Sequence, residues 1–177
     1  MILAGLDIET TGVDINAGHR LIQIGIAFQD GLHFVADVLP SGDMAISAEA
    51  LNINRFTLER IGKASPAKHV DETIANQLRE KGYKENSVTP VGWNVGGFDM
   101  CFIKRELPKI ASFFTYRTLD LTGVAIMHEL RTGKSYRDLK DAFHAKIVEK
   151  LGRNERHDAL YDAEAALIAI DLFKELA

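Results

Sequence analysis

Cysteine is nearly absent from this chain of 177 residues: Cys101 stands alone. One thiol excludes an internal disulfide and any zinc site built on cysteine pairs. Its expected place is a buried, small apolar position. There are only four prolines, too few for a proline-rich linker, and no low-complexity stretch or repeat interrupts the chain. No apolar run approaches the ~20 residues that cross a bilayer. The start, MILAGLDIETTG, reaches acidic residues too soon for a secretory leader. A cytoplasmic protein with no membrane partner is the expectation. Apolar residues at 46% and charged residues at 26% exclude collagen, coiled coil and wholesale disorder. The length is one domain's worth, residues 1–177, and suffices for a real core.

The net charge is −4, which taken alone argues weakly against a nucleic-acid partner. It is unevenly spread. Between Arg131 and Arg156 there are eight basic residues (Arg131, Lys134, Arg137, Lys140, Lys146, Lys150, Arg153 and Arg156) against four acidic ones (Asp138, Asp141, Glu149 and Glu155). That segment is +4, so the remainder is −8. Such a strip suits phosphate binding, or equally a set of solvated helix faces.

Along the chain, residues 1–7 read as a strand that ends in a loop. Residues 21–28 (LIQIGIAF) read as a second strand, and Asp30-Gly31 marks a hairpin to a third over 32–38. Ser47 caps a short helix through Leu51. Val70, Ile74 and Leu78 recur at helical spacing, and Gly82 ends that helix. Residues 88–93 form a strand weakened by Pro90. Phe98, Phe102, Ile103 and Leu107 mark a helix stopped by Pro108. Residues 115–119 are a short strand candidate. A last helix runs from about 159 to 176. Three hairpin strands followed by strand–helix alternation predict an α/β fold, a mixed sheet with helices on its faces.

Several familiar devices are missing. Gly133-Lys134-Ser135 lacks the upstream glycine of a P-loop, His128-Glu129 lacks the second histidine of a zincin helix, and no G-x-S-x-G elbow occurs. What remains is a set of carboxylates at structural junctions. In Asp7-Ile8-Glu9-Thr10-Thr11-Gly12 the two acids share one face of a strand, about 7 Å apart. They repel unless a cation sits between them. In Trp93-Asn94-Val95-Gly96-Gly97-Phe98-Asp99, Asp99 opens a helix, where the dipole alone would favour an acid. In His157-Asp158-Ala159-Leu160-Tyr161-Asp162, His157 and Asp162 would lie about 140° apart on one continuous helix. They converge only if His157 stays in the loop, Asp158 caps the helix, and Asp162 falls in its first turn. Four hard-oxygen acids with one histidine suit Mg²⁺ or Mn²⁺ rather than zinc, and such a cage supports two-metal phosphoryl transfer to water.

These three motifs, LDIETTG, NVGGFD and HDALYDA, resemble in order and separation those of the DnaQ-like 3′–5′ exonucleases, DEDD-histidine branch, on a ribonuclease-H-like fold. The resemblance runs from Ile2 to the last helix. The sister branch carries a tyrosine four residues before the last aspartate. Here that position is Asp158, so the histidine branch fits. The fold implied is a mixed sheet whose first three strands are antiparallel and whose later strands are parallel. By the resemblance, Asp7 would bridge two divalent cations, Mg²⁺ or Mn²⁺. Glu9 and Asp162 would complete the shell of the first, and Asp99 would hold the second through water. His157 would be the general base.

The segment Ile46 to Asn54 resembles the family's substrate wall. There Glu49 would contact the terminal nucleotide, and Asn54 stands where relatives often carry histidine. Ile53 and Phe98 would wedge against the last bases or simply pack in the core. The Thr10 N–H would meet the 3′-hydroxyl. The partner implied is a 3′ end of single-stranded DNA or RNA. The intact acid set speaks against a non-catalytic binding module. The chain stops directly after its last helix, without a tail to dock a polymerase. A free-standing enzyme or homodimer is therefore expected over a proofreading subunit.

Overall fold

The computed structural model describes residues 1–176. Strand β1 (Ile2–Thr10) pairs antiparallel with β2 (Leu21–Phe28), and β2 pairs antiparallel with β3 (His33–Leu39). The β2–β3 hairpin closes at Asp30-Gly31, where Gly31 takes φ 87° and the Phe28 N–H bonds to the Leu32 carbonyl. β1 also pairs in parallel with β5 (Val88–Gly92), which pairs in parallel with β6 (Leu119–Asp120). The two-residue β4 (Ser65–Pro66) extends the other edge, so the order is β4-β3-β2-β1-β5-β6. This is the expected mixed sheet, antiparallel first and parallel afterwards.

Alternation along β1 divides the core. Ala4, Leu6 and Ile8 face one side, where they pack with α3 (Ala67–Glu80), α4 (Asp99–Glu106) and α5 (Pro108–Ala111). Leu3 faces the other, with α6 (Leu121–Thr132), α7 (Tyr136–Leu151) and α8 (Ala159–Glu175). On that second face β1 and β2 present Gly5 and Gly25. A Cβ on Gly5 would stand 1.9 Å from the Ala163 carbonyl oxygen. The first turns of α8 therefore lie directly on the strand backbones.

Several elements depart from the expectation. β1 continues through Thr10 rather than ending at Asp7. α1 (Ala48–Asn54), capped by Ser47 as expected, runs on to Asn54, and α2 (Leu58–Lys63) follows it, capped by Thr57. Pro108 does end α4, but it also opens α5 at once, because its missing N–H costs nothing in a first turn. The strand expected over 115–119 shrinks to β6 and one bridge from Val88 to Phe114. Pro90 sits inside the sheet, at a level where β6 has not yet begun to pair.

Cys101 is exposed, against the buried position expected of it. Helical spacing explains this: Asp99, Met100, Phe102 and Ile103 turn inward on α4, which leaves 101 outward. Among the described residues, no helix is long and apolar enough to cross a membrane.

Candidate active site

Asp7 and Glu9 point from the same face of β1, opposite Gly25 and Gln23 of β2. Two helix starts converge on them. Asp99 is the first residue of α4 and is 4% exposed, and its Oδ1 accepts the Ile8 N–H at 3.1 Å. That bond ties the helix to the strand between the two acids. From the other side comes α8. Asp158 is its N-cap and accepts the Tyr161 N–H, which leaves His157 in the loop and places Asp162 in the first turn. His157 adopts a left-handed φ of 66°, and its N–H donates to Asp162 Oδ2 at 2.8 Å. The loop arrangement required of this pair is the one the chain adopts. Glu9, His157 and Asp162 each present a ligand atom within 4.8 Å of the others.

The electrostatics are those of acids held together without enough positive charge. Burial raises the Asp7 carboxyl well above its ordinary range, and Asp99, Asp162 and Glu9 push it further. Glu9 is raised from 4.5 to about 8, by burial first and by Asp162 second. Asp99 is raised well above its ordinary value by burial, against the opposing backbone hydrogen bonds from its own N–H and that of Ile8. Asp162 is raised by burial, with the His157 N–H opposing. Four carboxyls shifted the same way at one point are stable as anions only if cations neutralise them. The donors are hard oxygens with one imidazole, a set that fits Mg²⁺ or Mn²⁺.

Beside the acids lies a cavity of about 410 Å³, and Ile8, Glu9, Thr10, Glu49, Ile53, Asn54 and Phe98 are among the residues that line it. All five expected substrate positions therefore meet at one place. Ile53 is 46% exposed, so it is no core residue, and Glu49 is exposed in the first turn of α1. Phe98 packs partly on the core, 5.2 Å from the ring of Phe102. Asn54 is buried and committed to the backbone. Its Nδ2 donates to the Thr10 carbonyl at 3.0 Å, and its Oδ1 accepts the Phe56 N–H. It thus fixes the cavity wall to the end of β1.

Two residues near the site were not anticipated. His19 lines the same cavity, with its ring over Gly12 and its Nδ1 accepting the Asp14 N–H. Gln23 is 2% exposed on β2, and its Oε1 accepts the Ala159 N–H at the start of α8. Its Nε2 donates to Asp37 at 3.0 Å and to Asp158 at 3.4 Å. Asp37 is held in turn by a two-pronged Arg60. The signal was present: Gln23 is the one polar residue in LIQIGIAF.

The family model RNase_T, described as an exonuclease, matches residues 5–170. An oligoribonuclease of Buchnera aphidicola subsp. Acyrthosiphon pisum (strain APS) is 23% identical over 98% of this chain and 92% of its own. The nuclease domain of 3′hExo, a DEDDh family member solved with rAMP, superposes with a TM-score of 0.62. It is 16% identical, over 98% of this chain and 92% of that one. E. coli Exonuclease I, solved with a dT13 oligonucleotide, gives a TM-score of 0.68 at 19% identity over 98% of this chain. The match spans only 41% of the length of Exonuclease I.

Proposed function

The chain belongs to the RNase_T exonuclease family, of the 3′–5′ class, and from that premise we propose that it shortens single-stranded DNA or RNA from the 3′ end, releasing 5′-nucleoside monophosphates. The observation that carries this reading is the convergence of Asp7, Glu9, Asp99 and Asp162, with all four carboxyls raised, around a ligand-competent His157. A purely structural cluster would pair its acids with bases, whereas these face each other.

Asp7, Glu9 and Asp162 would hold one divalent cation, and Asp7 and Asp99 a second. When bound, the pair supplies activation of water and neutralisation of charge on the departing 3′-oxygen. His157 takes the proton of the attacking water at a ring nitrogen. Its backbone bond to Asp162 and the Asp158 cap fix the loop that carries it. The terminal nucleotide enters the 410 Å³ cavity, where Ile53 and Phe98 flank its base without reading sequence. The Thr10 N–H and Glu49 meet its sugar end. Asn54 holds the wall on which they stand.

The test is a gel assay with 5′-labelled DNA and RNA oligonucleotides in Mg²⁺ or Mn²⁺, with EDTA as control. A one-nucleotide ladder from the 3′ end that vanishes in EDTA is expected, and the faster substrate identifies the preferred sugar. Folded protein that cleaves neither strand with either cation overturns the reading.

A further inference from the structure

A second, smaller cavity also reaches the acid set. Glu9 lines the first cavity, whereas Asp162 lines the second, and the Glu9 and Asp162 carboxylates lie within 4.8 Å of each other. The second is a groove of about 100 Å³ between α7 and α8, walled by Trp93, Lys140, His144, Arg156 and Tyr161. Tyr161 is 1% exposed, yet its hydroxyl has no hydrogen-bond partner among the described residues. A buried hydroxyl left without a partner destabilises the fold, and phenylalanine would fill the same space without that cost. The phenol is the group that wants an acceptor.

The surroundings indicate which acceptor. Lys140 Nζ lies 5.1 Å from the centre of the Trp93 ring, and neither Lys140 nor Arg156 pairs with a described carboxylate. Arg153, by contrast, is engaged by Glu155 and Glu164. Two acids, Asp141 and Asp162, also line the groove. Ligand pockets for whole small molecules run to ~300–1,000 Å³, so this groove suits one anionic group rather than a nucleoside.

We propose that the α7–α8 groove holds one backbone phosphate of the substrate strand on the 5′ side of the scissile bond, with Tyr161 Oη and Lys140 as its donors. The proposal rests on the exonuclease reading above. The strand then crosses the acid set with its last nucleotide in one cavity and an upstream phosphate in the other. Part of the basic strip from Arg131 to Arg156 thereby acquires a role.

The experiment uses oligonucleotides in which one linkage at a time, counted from the 3′ end, is a neutral methylphosphonate. The rate of the first cleavage is read as kcat/KM for the wild type, Tyr161→Phe and Lys140→Gln. Lys146→Gln serves as a control, since its lysine pairs with Glu175. In the wild type, one linkage upstream of the scissile bond should carry a penalty of about tenfold. In Tyr161→Phe and Lys140→Gln that penalty should shrink toward unity while those at other linkages persist, and the control should behave as wild type. Equal penalties in wild type and both variants, with cleavage intact, overturn the groove and leave the exonuclease reading standing. A wild type that cleaves no strand overturns both. Trp93, the chain's single tryptophan, gives a second readout. Its emission should respond to a saturating phosphorothioate oligonucleotide in Mg²⁺, and an unresponsive Trp93 at proven saturation counts against the groove.

Discussion

Gly25 lies directly beneath the first residue of α8, so that a Cβ on it would stand 2.2 Å from the Ala159 carbonyl carbon. Real contacts never come that close, so the strand and helix can meet only with glycine there. The meeting sets the height at which Asp162 faces Asp7 and Glu9. Gly25→Ala should therefore lift the start of α8, at a cost of ~1–3 kcal/mol for overpacking. Activity should fall by more than the stability loss accounts for, because Asp162 and His157 move together. Urea denaturation alongside kcat measured well below the unfolding transition checks this. Full activity in the variant would show that α8 tolerates the displacement.

Local signals carried much of the site's legibility. The Asp30-Gly31 hairpin and the Asp158 cap each depend on a few adjacent residues, and both form as the residue types require. The Asp158 cap is also what resolves the His157–Asp162 spacing, so a functional geometry could be read from one turn of chain. What escaped depends on distant partners. β4 is two residues long and exists because β3 offers Val38 and Leu39 to pair with. Gln23 stands out as the one polar side chain of its strand, but its task appears only when Ala159, far along the chain, reaches it. Cys101 faces solvent because its neighbours on α4 take the inward positions, which residue type alone does not record.

Asp7→Asn removes the acid that Asp99, Asp162 and Glu9 all repel. Turnover should drop by at least about a hundredfold, the scale of losing one charge-stabilising group in a transition state. The metal-free fold should become more stable, since a buried like charge is gone. A gain of ~1 kcal/mol would read as ~2–4 °C in Tm for a chain of this size. An inactive variant that is less stable than wild type in EDTA would contradict the electrostatic account.

The pH dependence of the metal-free fold follows from the same acids, and its sign is opposite to that of ordinary paired carboxylates. Glu9 rises from 4.5 to about 8 on folding, and Asp7, Asp99 and Asp162 rise as well. The folded state thus holds more protons than the unfolded one. Their contribution to stability is complete below the unfolded values and is lost as pH climbs through the folded ones. In EDTA, Tm should decline between about pH 4.5 and 8. Saturating Mg²⁺ or Mn²⁺ should flatten that decline by neutralising the anions. A Tm that climbs over this window in EDTA would refute the assignment.

Gln23 is an amide placed where a carboxylate would be repelled. Its Nε2 donates to both Asp37 and Asp158 while its Oε1 accepts from Ala159. Gln23→Glu keeps the shape and the acceptor but turns both donor contacts into repulsions inside a buried site. The cost to the fold should be ~1–3 kcal/mol, that of unmet buried polar groups. The start of α8 should loosen, and with it His157 and Asp162. Because the cavity proposed for the terminal nucleotide is walled mainly by residues of β1 and α1, kcat should fall more than KM rises. A proton on the new carboxyl restores a donor, so the ratio of variant to wild-type kcat should improve as pH is lowered. A ratio independent of pH, or a loss confined to KM, would mean that Gln23 acts on the fold without positioning the catalytic loop.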